Sequence, residues 1–164
     1  MRSPAVIITI FFLCAIFFFL GFLSYSKFYG IALPAVDGIR YNMDLASIGS
    51  NQDMFAFVFA LVPLLLFITW QLIPLQSTDK KTASAFVVLI CMALTTYIRY
   101  KMLVADFNEM LQSQTNKYST GITFSFQDLN YEFYLLGGLL VGCIISYLLF
   151  HNKVVRRTIF VGGD

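Results

Sequence analysis

Four long apolar stretches, separated by more polar segments, set the pattern of this 164-residue chain. They cover about residues 5–23, 54–75, 85–104 and 133–150. Each is close to the ~20 apolar residues that a helix needs to cross a hydrocarbon core of ~30 Å. The sequence therefore predicts an all-α membrane protein, a four-transmembrane-helix bundle in a single integral membrane domain (1–164).

The third stretch is the one that continues past the membrane. Arg99 and Lys101 arrive near its far boundary. After them an apolar stripe keeps helical spacing through Leu103, Phe107, Met110 and Leu111. We therefore expect one helix that crosses the bilayer and extends outside it as far as Gln112.

Each of the two long loops, at about 24–53 and 105–132, contains a stretch in which apolar and polar residues alternate. The first runs from Ile39 to Leu45 and the second from Ile122 to Gln127, with the period of two that is typical of half-buried strands. The sequence predicts that these strands pair in a small two-strand extracytoplasmic subdomain, and that a turn at 47–53 precedes helix 2. The repeated order of helix, strand and helix hints at a duplicated unit.

Composition agrees with this pattern, since 59% of the residues are hydrophobic and 12% charged, against roughly half and a quarter in soluble domains. The basic residues are scattered rather than arranged in a stripe, so nucleic acid is not expected as a partner. Those on the side of the two termini crowd the membrane ends: Arg2, Lys80, Lys81, Lys153, Arg156 and Arg157. By the positive-inside rule we expect both termini in the cytoplasm. The expected location is a plasma or bacterial inner membrane.

Arg99, Lys101 and Trp70 are the candidate lipid- or ligand-binding residues. A cation near hydrocarbon is costly and often marks a site for an anionic head group, a quinone or a carboxylate. Both cations are also within snorkelling reach of the boundary, and Trp70 suits an interfacial anchor, which is the interpretation we favour. The alternative is a lipid or quinone site that these three residues form at the outer end of helix 3.

Gly138, Gly142 and Ser146 follow one another at intervals of four residues in the fourth stretch. This small-xxx-small seam lets a second helix approach closely and predicts a helix-packing interface. The second helix could belong to the same bundle or to a partner subunit.

Helix 1 carries six phenylalanines spread over more than one face. We interpret these rings as lipid-facing or packing residues rather than as a wall for a carotenoid or a quinone.

The three cysteines, Cys14, Cys91 and Cys143, lie at similar depth in the apolar stretches. Small core thiols are favoured over a metal or redox cluster, because a thiolate metal site usually needs four ligands.

The acids Asp44, Asp128 and Glu132 are interpreted as a solvated strand face rather than a carboxylate pair or a divalent-metal site. The sequence contains one histidine, His151, and none of the nucleophile-elbow, Walker or H-E-x-x-H motifs. We therefore expect neither an enzyme nor a metal centre, and no cofactor unless a lipid or a quinone is bound.

The plan of four helices with two outer loops resembles that of claudins and of bacterial disulfide-generating quinone reductases. Claudins carry a tryptophan and paired cysteines in the first outer loop, and the quinone reductases carry two outer cysteine pairs. Neither loop of this chain contains cysteine or tryptophan. The resemblance is therefore one of plan, and no family is assigned.

Taken together, the patterns predict a non-catalytic membrane subunit that scaffolds or stabilises a larger membrane protein complex through its helix bundle and outer loops. Its expected partners are other membrane protein subunits or further copies of itself, and the bilayer. The alternative function is small-molecule, lipid or quinone binding or transport, and a channel ranks third.

Overall fold

The computed structural model describes residues 4–36, 39–42, 45–73, 78–114, 122–125 and 129–161. Within these ranges the chain forms four helices and two short strands, in the order α1 (Pro4–Ala32), β1 (Ile39–Asn42), α2 (Leu45–Leu72), α3 (Thr78–Gln114), β2 (Ile122–Ser125) and α4 (Tyr131–Val161). All four helices are long and apolar enough to span a membrane, which confirms their predicted number.

α1 is longer than predicted, because it continues past Leu23 to Ala32. Tyr25 and Tyr29, one turn apart, are buried against the rest of the protein, and this packing stabilises the additional turns. Gly30 does not end the helix. Leu33 N–H still bonds to the carbonyl of Tyr29 (3.0 Å), so the helical hydrogen bonding reaches the residue before Pro34.

α2 begins at Leu45, so the turn predicted at 47–53 is wrong and the segment is helical. Serine, glycine and asparagine favour turns when nothing else decides, but tertiary contacts override such preferences. Here Gln52 Nε2 donates to the carbonyl of Phe22 in α1 (3.0 Å), and Phe55 and Ala56 are fully buried.

α3 begins at Thr78, before the predicted 85, and ends at Gln114. Its 37 residues correspond to about 56 Å of helix, well beyond a ~30 Å hydrocarbon core. α4 also exceeds its prediction of 133–150, since it continues to Val161 through the segment that contains Lys153, Arg156 and Arg157.

β1 and β2 pair in parallel, with Ile39 opposite Ile122 and Asn42 opposite Ser125. Parallel strands need a long crossover, and α2 and α3 together provide it. The first alternation was predicted to reach Leu45, and that end is wrong, because Leu45 already belongs to α2. The rest of the two predicted strands, at 43–44 and 126–127, lies outside the described residues.

The extension of α3 supports the strand pair. Leu103 and Phe107 are buried, and the Phe107 ring lies 6.2 Å from that of Tyr41 in β1. The Tyr41 hydroxyl donates to the carbonyl of Pro34 (2.6 Å). Burial raises the pKa of Tyr41 above its ordinary value, and the nearby Tyr100 hydroxyl adds to the effect.

The helices pack as two pairs, α1 with α2 and α3 with α4, which meet chiefly between α2 and α4. The close approach of the first pair depends on Gly21, where an added Cβ would lie 2.9 Å from both Ala56 Cα and Phe59 Cβ. The core is richest in aromatic rings at the end of the bundle that carries the strands.

Candidate functional site

A cluster of three buried tyrosines and one glutamate joins α1 to the start of α4. We call this the tyrosine cluster; its members are Tyr25, Tyr29, Tyr131 and Glu132. Each is at most 4% exposed. The Tyr29 ring lies 4.6 Å from that of Tyr25 and 5.7 Å from that of Tyr131, and its hydroxyl donates to the Glu132 carboxylate.

The Glu132 carboxylate was predicted to lie on a solvated face, and that prediction is wrong. Its place in the first turn of α4 puts it beneath the aromatic rings of α1. A buried carboxylate is stable only when hydrogen bonds replace those it made to water, and Tyr29 provides one. Asp44 and Asp128, the other two acids of that prediction, lie outside the described residues.

The chain enters α4 through a tightly held segment. Asn130 has a left-handed backbone (φ 52°), a conformation that asparagine tolerates better than most residues. Leu129 before it is fully buried, and its carbonyl accepts a hydrogen bond from Arg99 Nε (2.8 Å). On its other side, the Tyr131 hydroxyl donates to the carbonyl of Ala32 at the end of α1 (2.6 Å).

Arg99 and Lys101 therefore have different surroundings. Arg99 reaches across to α4, where its guanidinium also lies 5.3 Å from the centre of the Tyr134 ring. Lys101 is exposed and lies 5.6 Å from the ring of Tyr97 on its own helix. The contacts seen for Arg99 are thus with the protein, and those for Lys101 leave its side chain at the surface.

Trp70 lies at the opposite end of the bundle from these two cations. Its Nε1 donates to the Ser84 hydroxyl (3.3 Å), and Ser84 shares a 2.5 Å hydrogen bond with Ser146 of α4. Ser84 precedes Arg99 by 15 residues of one continuous helix, about 22 Å along the axis. A single site formed by Arg99, Lys101 and Trp70 is therefore incompatible with this geometry. The prediction that Trp70 lies at the same end of the bundle as the two cations is wrong.

Gly138, Gly142 and Ser146 face α3 of the same chain. A Cβ added at Gly138 would lie 2.2 Å from Thr95 Oγ1 and 2.7 Å from Met92 Cα. One added at Gly142 would lie 2.8 Å from Val88 Cα. The seam thus brings two helices of this bundle into backbone contact, so its described contacts are internal rather than with a partner.

The three cysteines divide between two places. Cys91 and Cys143 lie on the facing sides of α3 and α4, whereas Cys14 lies between α1 and α2. All three are free thiols. In the part of the chain that the structure describes, no three histidine, cysteine or acidic side chains come together as metal ligands.

Neither the tyrosine cluster nor the Ser84 link was predicted from the sequence. Two signals were available for the cluster: Tyr25 and Tyr29 share one helix face, and Glu132 immediately precedes a long apolar run. For Ser84 the only signal was a small polar residue next to such a run. Neither signal identifies the partner residue. The partner of Tyr29 lies 103 residues away in the sequence, and the partner of Ser84 lies 62 residues away.

The sequence matches no family model, and searches of curated proteins and of solved structures return no similar protein. The contacts within the bundle are therefore the basis for a functional proposal. They join α1 to α4 at one end and α2, α3 and α4 at the other, an arrangement suited to fixing the bundle in one geometry.

Proposed function

We propose that this chain is a non-catalytic subunit that assembles with other membrane proteins, or with further copies of itself, through the outward face of α1. The supporting observation is how little of α1 is used internally. Only 6% of its apolar span is buried, against 17–28% of the other three spans. Its buried residues are Gly21, Tyr25 and Tyr29, all in the later half of the helix.

The outward face of α1 is a continuous stripe at helical spacing. It consists of Ile8, Phe12, Ile16, Phe19 and Leu23, which are 68%, 66%, 38%, 65% and 71% exposed. Lipid accepts any apolar side chain, so a stripe with two large aromatic rings exceeds what lipid contact alone requires. Aromatic residues are enriched in protein interfaces, which favours a protein partner on this face.

The polar contacts within the bundle also support a structural role. Tyr29, Arg99 and Ser84 all hydrogen-bond within the chain and join different helices. Such contacts favour one fixed arrangement of the helices, which a scaffold requires. Transport, by contrast, requires two arrangements of comparable stability.

We infer further that the strand pair is the core of an extracytoplasmic subdomain and that both termini are cytoplasmic. The distribution of lysine and arginine supports this orientation. The strand pair and the end of α3 would then offer partners a folded surface outside the membrane.

The test is the size of the full-length protein after extraction from its native membrane with a copolymer that retains surrounding lipid. We expect a defined homo-oligomer or a stoichiometric second protein, measured by light scattering and protein mass spectrometry. A monodisperse monomer without a co-purifying protein would overturn the proposal.

A pair of double variants locates the surface. Phe12→Ala with Phe19→Ala removes the two rings of the α1 stripe and should reduce the assembly to smaller species. Phe86→Ala with Ile90→Ala removes comparably exposed side chains from α3 (60% and 56%) and should leave it intact. The opposite result would assign the contact to α3.

A further inference from the structure

One polar group of the tyrosine cluster is buried without a partner. The Tyr25 side chain is 4% exposed, and its hydroxyl forms no hydrogen bond with the part of the chain that the structure describes. It approaches the Tyr29 hydroxyl and the Asn51 side chain of α2 without completing a hydrogen bond to either. A hydroxyl buried in this way is unfavourable, so a bound group that satisfies it is expected at this position.

The Glu132 carboxylate, whose charge reaches the Tyr25 hydroxyl, has no opposite charge beside it. Its side-chain partner is the neutral Tyr29 hydroxyl, and no lysine or arginine among the described residues forms an ion pair with it. Arg99 on α3 donates to the carbonyl of Leu129 rather than to this acid. Buried charges in proteins are paired or bind a metal ion, so a counter-charge is expected here as well.

One kind of occupant accounts for both groups. A proton on Glu132 would neutralise its charge but would leave the Tyr25 hydroxyl without a partner. A water molecule would satisfy the hydroxyl but would leave the charge. A metal cation would do both, because carboxylate and other neutral oxygen atoms are the ligands that hard cations prefer.

The charge of the site selects a monovalent cation. Glu132 provides one negative charge, and among the described residues no group of three acids, histidines or cysteines forms a metal site around it. Sites for Ca²⁺ usually combine several carboxylates within about 6–8 oxygen ligands. The Tyr29 hydroxyl and the Asn51 amide lie next to the Tyr25 hydroxyl and contribute further oxygen atoms, which are neutral.

We propose that the tyrosine cluster binds one monovalent metal cation, Na⁺, between Tyr25 of α1 and Glu132 of α4. The bound cation joins α1 to α4 at the end of the bundle that carries the strands. Because it binds the folded protein, the stability of the bundle rises with the concentration of Na⁺. The site uses buried residues of α1 and does not rest on the proposed assembly, which uses the exposed stripe.

The test is thermal unfolding of the purified full-length protein in detergent, with Na⁺ exchanged for choline at constant ionic strength. Choline has a quaternary ammonium group and cannot take the place of a small metal ion among oxygen ligands. We expect the midpoint temperature of the wild type to rise with Na⁺ as for a ligand that binds only the folded state. Glu132→Gln keeps the size of the side chain without its charge and should abolish the rise.

Tyr25→Phe keeps the ring and removes only the hydroxyl. In choline this variant should be at least as stable as the wild type, because the hydroxyl that it lacks has no partner there. It should need roughly tenfold more Na⁺ for the same rise, since a contact with a charged group contributes a factor of that size or more. Tyr97→Phe, at an exposed position on α3, is the matched control and should respond like the wild type.

Binding of radioactive sodium to the same preparations measures occupancy directly. We expect about one ion per wild-type chain and a loss of binding in both Tyr25→Phe and Glu132→Gln. Equal stability of the wild type in Na⁺ and choline, or a Na⁺ response that both variants retain, would overturn the proposal. Stability that follows pH but not Na⁺ would assign the neutralising charge to a proton and would overturn it too.

Discussion

The hydroxyl of Tyr29 in α1 donates a hydrogen bond to the carboxylate of Glu132 in α4, although the two residues are 103 positions apart. Both side chains are almost completely buried, at 2% and 4% exposed. Because α1 packs mainly on α2, this bond is one of the few direct connections between α1 and α4. We infer that it fixes the later half of α1 against the rest of the bundle.

Tyr29→Phe should therefore destabilise the protein. The ring packing is kept, but the buried carboxylate loses a donor, which costs about 1–3 kcal/mol. The free energy of unfolding in detergent, titrated with sodium dodecyl sulfate, measures the change. Tyr97→Phe is the matched control, because Tyr97 is 57% exposed and its hydroxyl should contribute little.

The double variant Tyr29→Phe with Glu132→Gln separates the pair from its surroundings. If the two side chains interact, the effects of the single substitutions will not add. Additive effects, or a Tyr29→Phe protein as stable as the wild type, would show that the bond contributes nothing to the fold.

The helical plan was predictable because the length of an apolar run reports the thickness of the bilayer. The helix ends were not predictable. Tyr25, Gln52 and Ser84 extend their helices through contacts with other helices, and hydrophobic periodicity carries no information about such contacts. The extension of α3 past Arg99 was the exception, since its buried stripe through Leu103 and Phe107 kept helical spacing.

The candidate site was less predictable for a related reason. Cations near a membrane boundary are conspicuous in a sequence, so Arg99 and Lys101 were identified readily. Glu132 has an ordinary position for an acid, in the first turn of a helix, where a negative charge is favourable without any partner. Only the fold, which brings Tyr29 over it, distinguishes this acid from a solvated one.

Gly138→Ala should destabilise the contact between α3 and α4. The added methyl group would meet the backbone at Met92 Cα (2.7 Å) and at the Cys91 carbonyl oxygen (2.9 Å), neither of which can move alone. Overpacking of this kind costs about 1–3 kcal/mol. Thermal denaturation in detergent, followed by circular dichroism, measures the loss.

Gly137→Ala is the control for the neighbouring position, since a Cβ added there meets nothing within 4 Å. Alanine is the better helix former, so this variant should be as stable as the wild type or slightly more so. Equal destabilisation by both substitutions would mean that the seam does not pack as described.

Ser84→Ala should change the fluorescence of Trp70, which is the only tryptophan of the chain. The substitution removes the acceptor of its indole N–H and leaves the buried Ser146 hydroxyl without this partner. We expect a blue shift of the emission and a loss of stability of about 0.5–1.5 kcal/mol. Ser24→Ala, whose hydroxyl bonds to the carbonyl of Gly21 in its own helix, should leave the emission unchanged.

Single cysteines introduced at the two ends of the bundle test the proposed orientation. Ile31 is 85% exposed at the end of α1, and Thr82 is exposed in the first turns of α3. A membrane-impermeant maleimide should label Ile31→Cys on intact cells and Thr82→Cys only after the membrane is ruptured. The wild type, whose native cysteines lie in the apolar spans, provides the background. Labelling of Thr82→Cys alone on intact cells would reverse the topology.

Arg99→Ala distinguishes a structural role of this residue from lipid or quinone binding near it on α3. Its Nε donates to the carbonyl of the fully buried Leu129, so removing the side chain should cost about 1–3 kcal/mol in unfolding free energy. Lys101→Ala, at an exposed position two residues away, should stay within about 0.5 kcal/mol of the wild type.

Lipid and quinone retained by each variant are measured alongside stability, on the same preparations. A structural role predicts lower stability of Arg99→Ala with its lipid content unchanged. Loss of a bound lipid or quinone from Arg99→Ala at wild-type stability would instead support a ligand site at this boundary, without Trp70, which lies at the other end of the bundle.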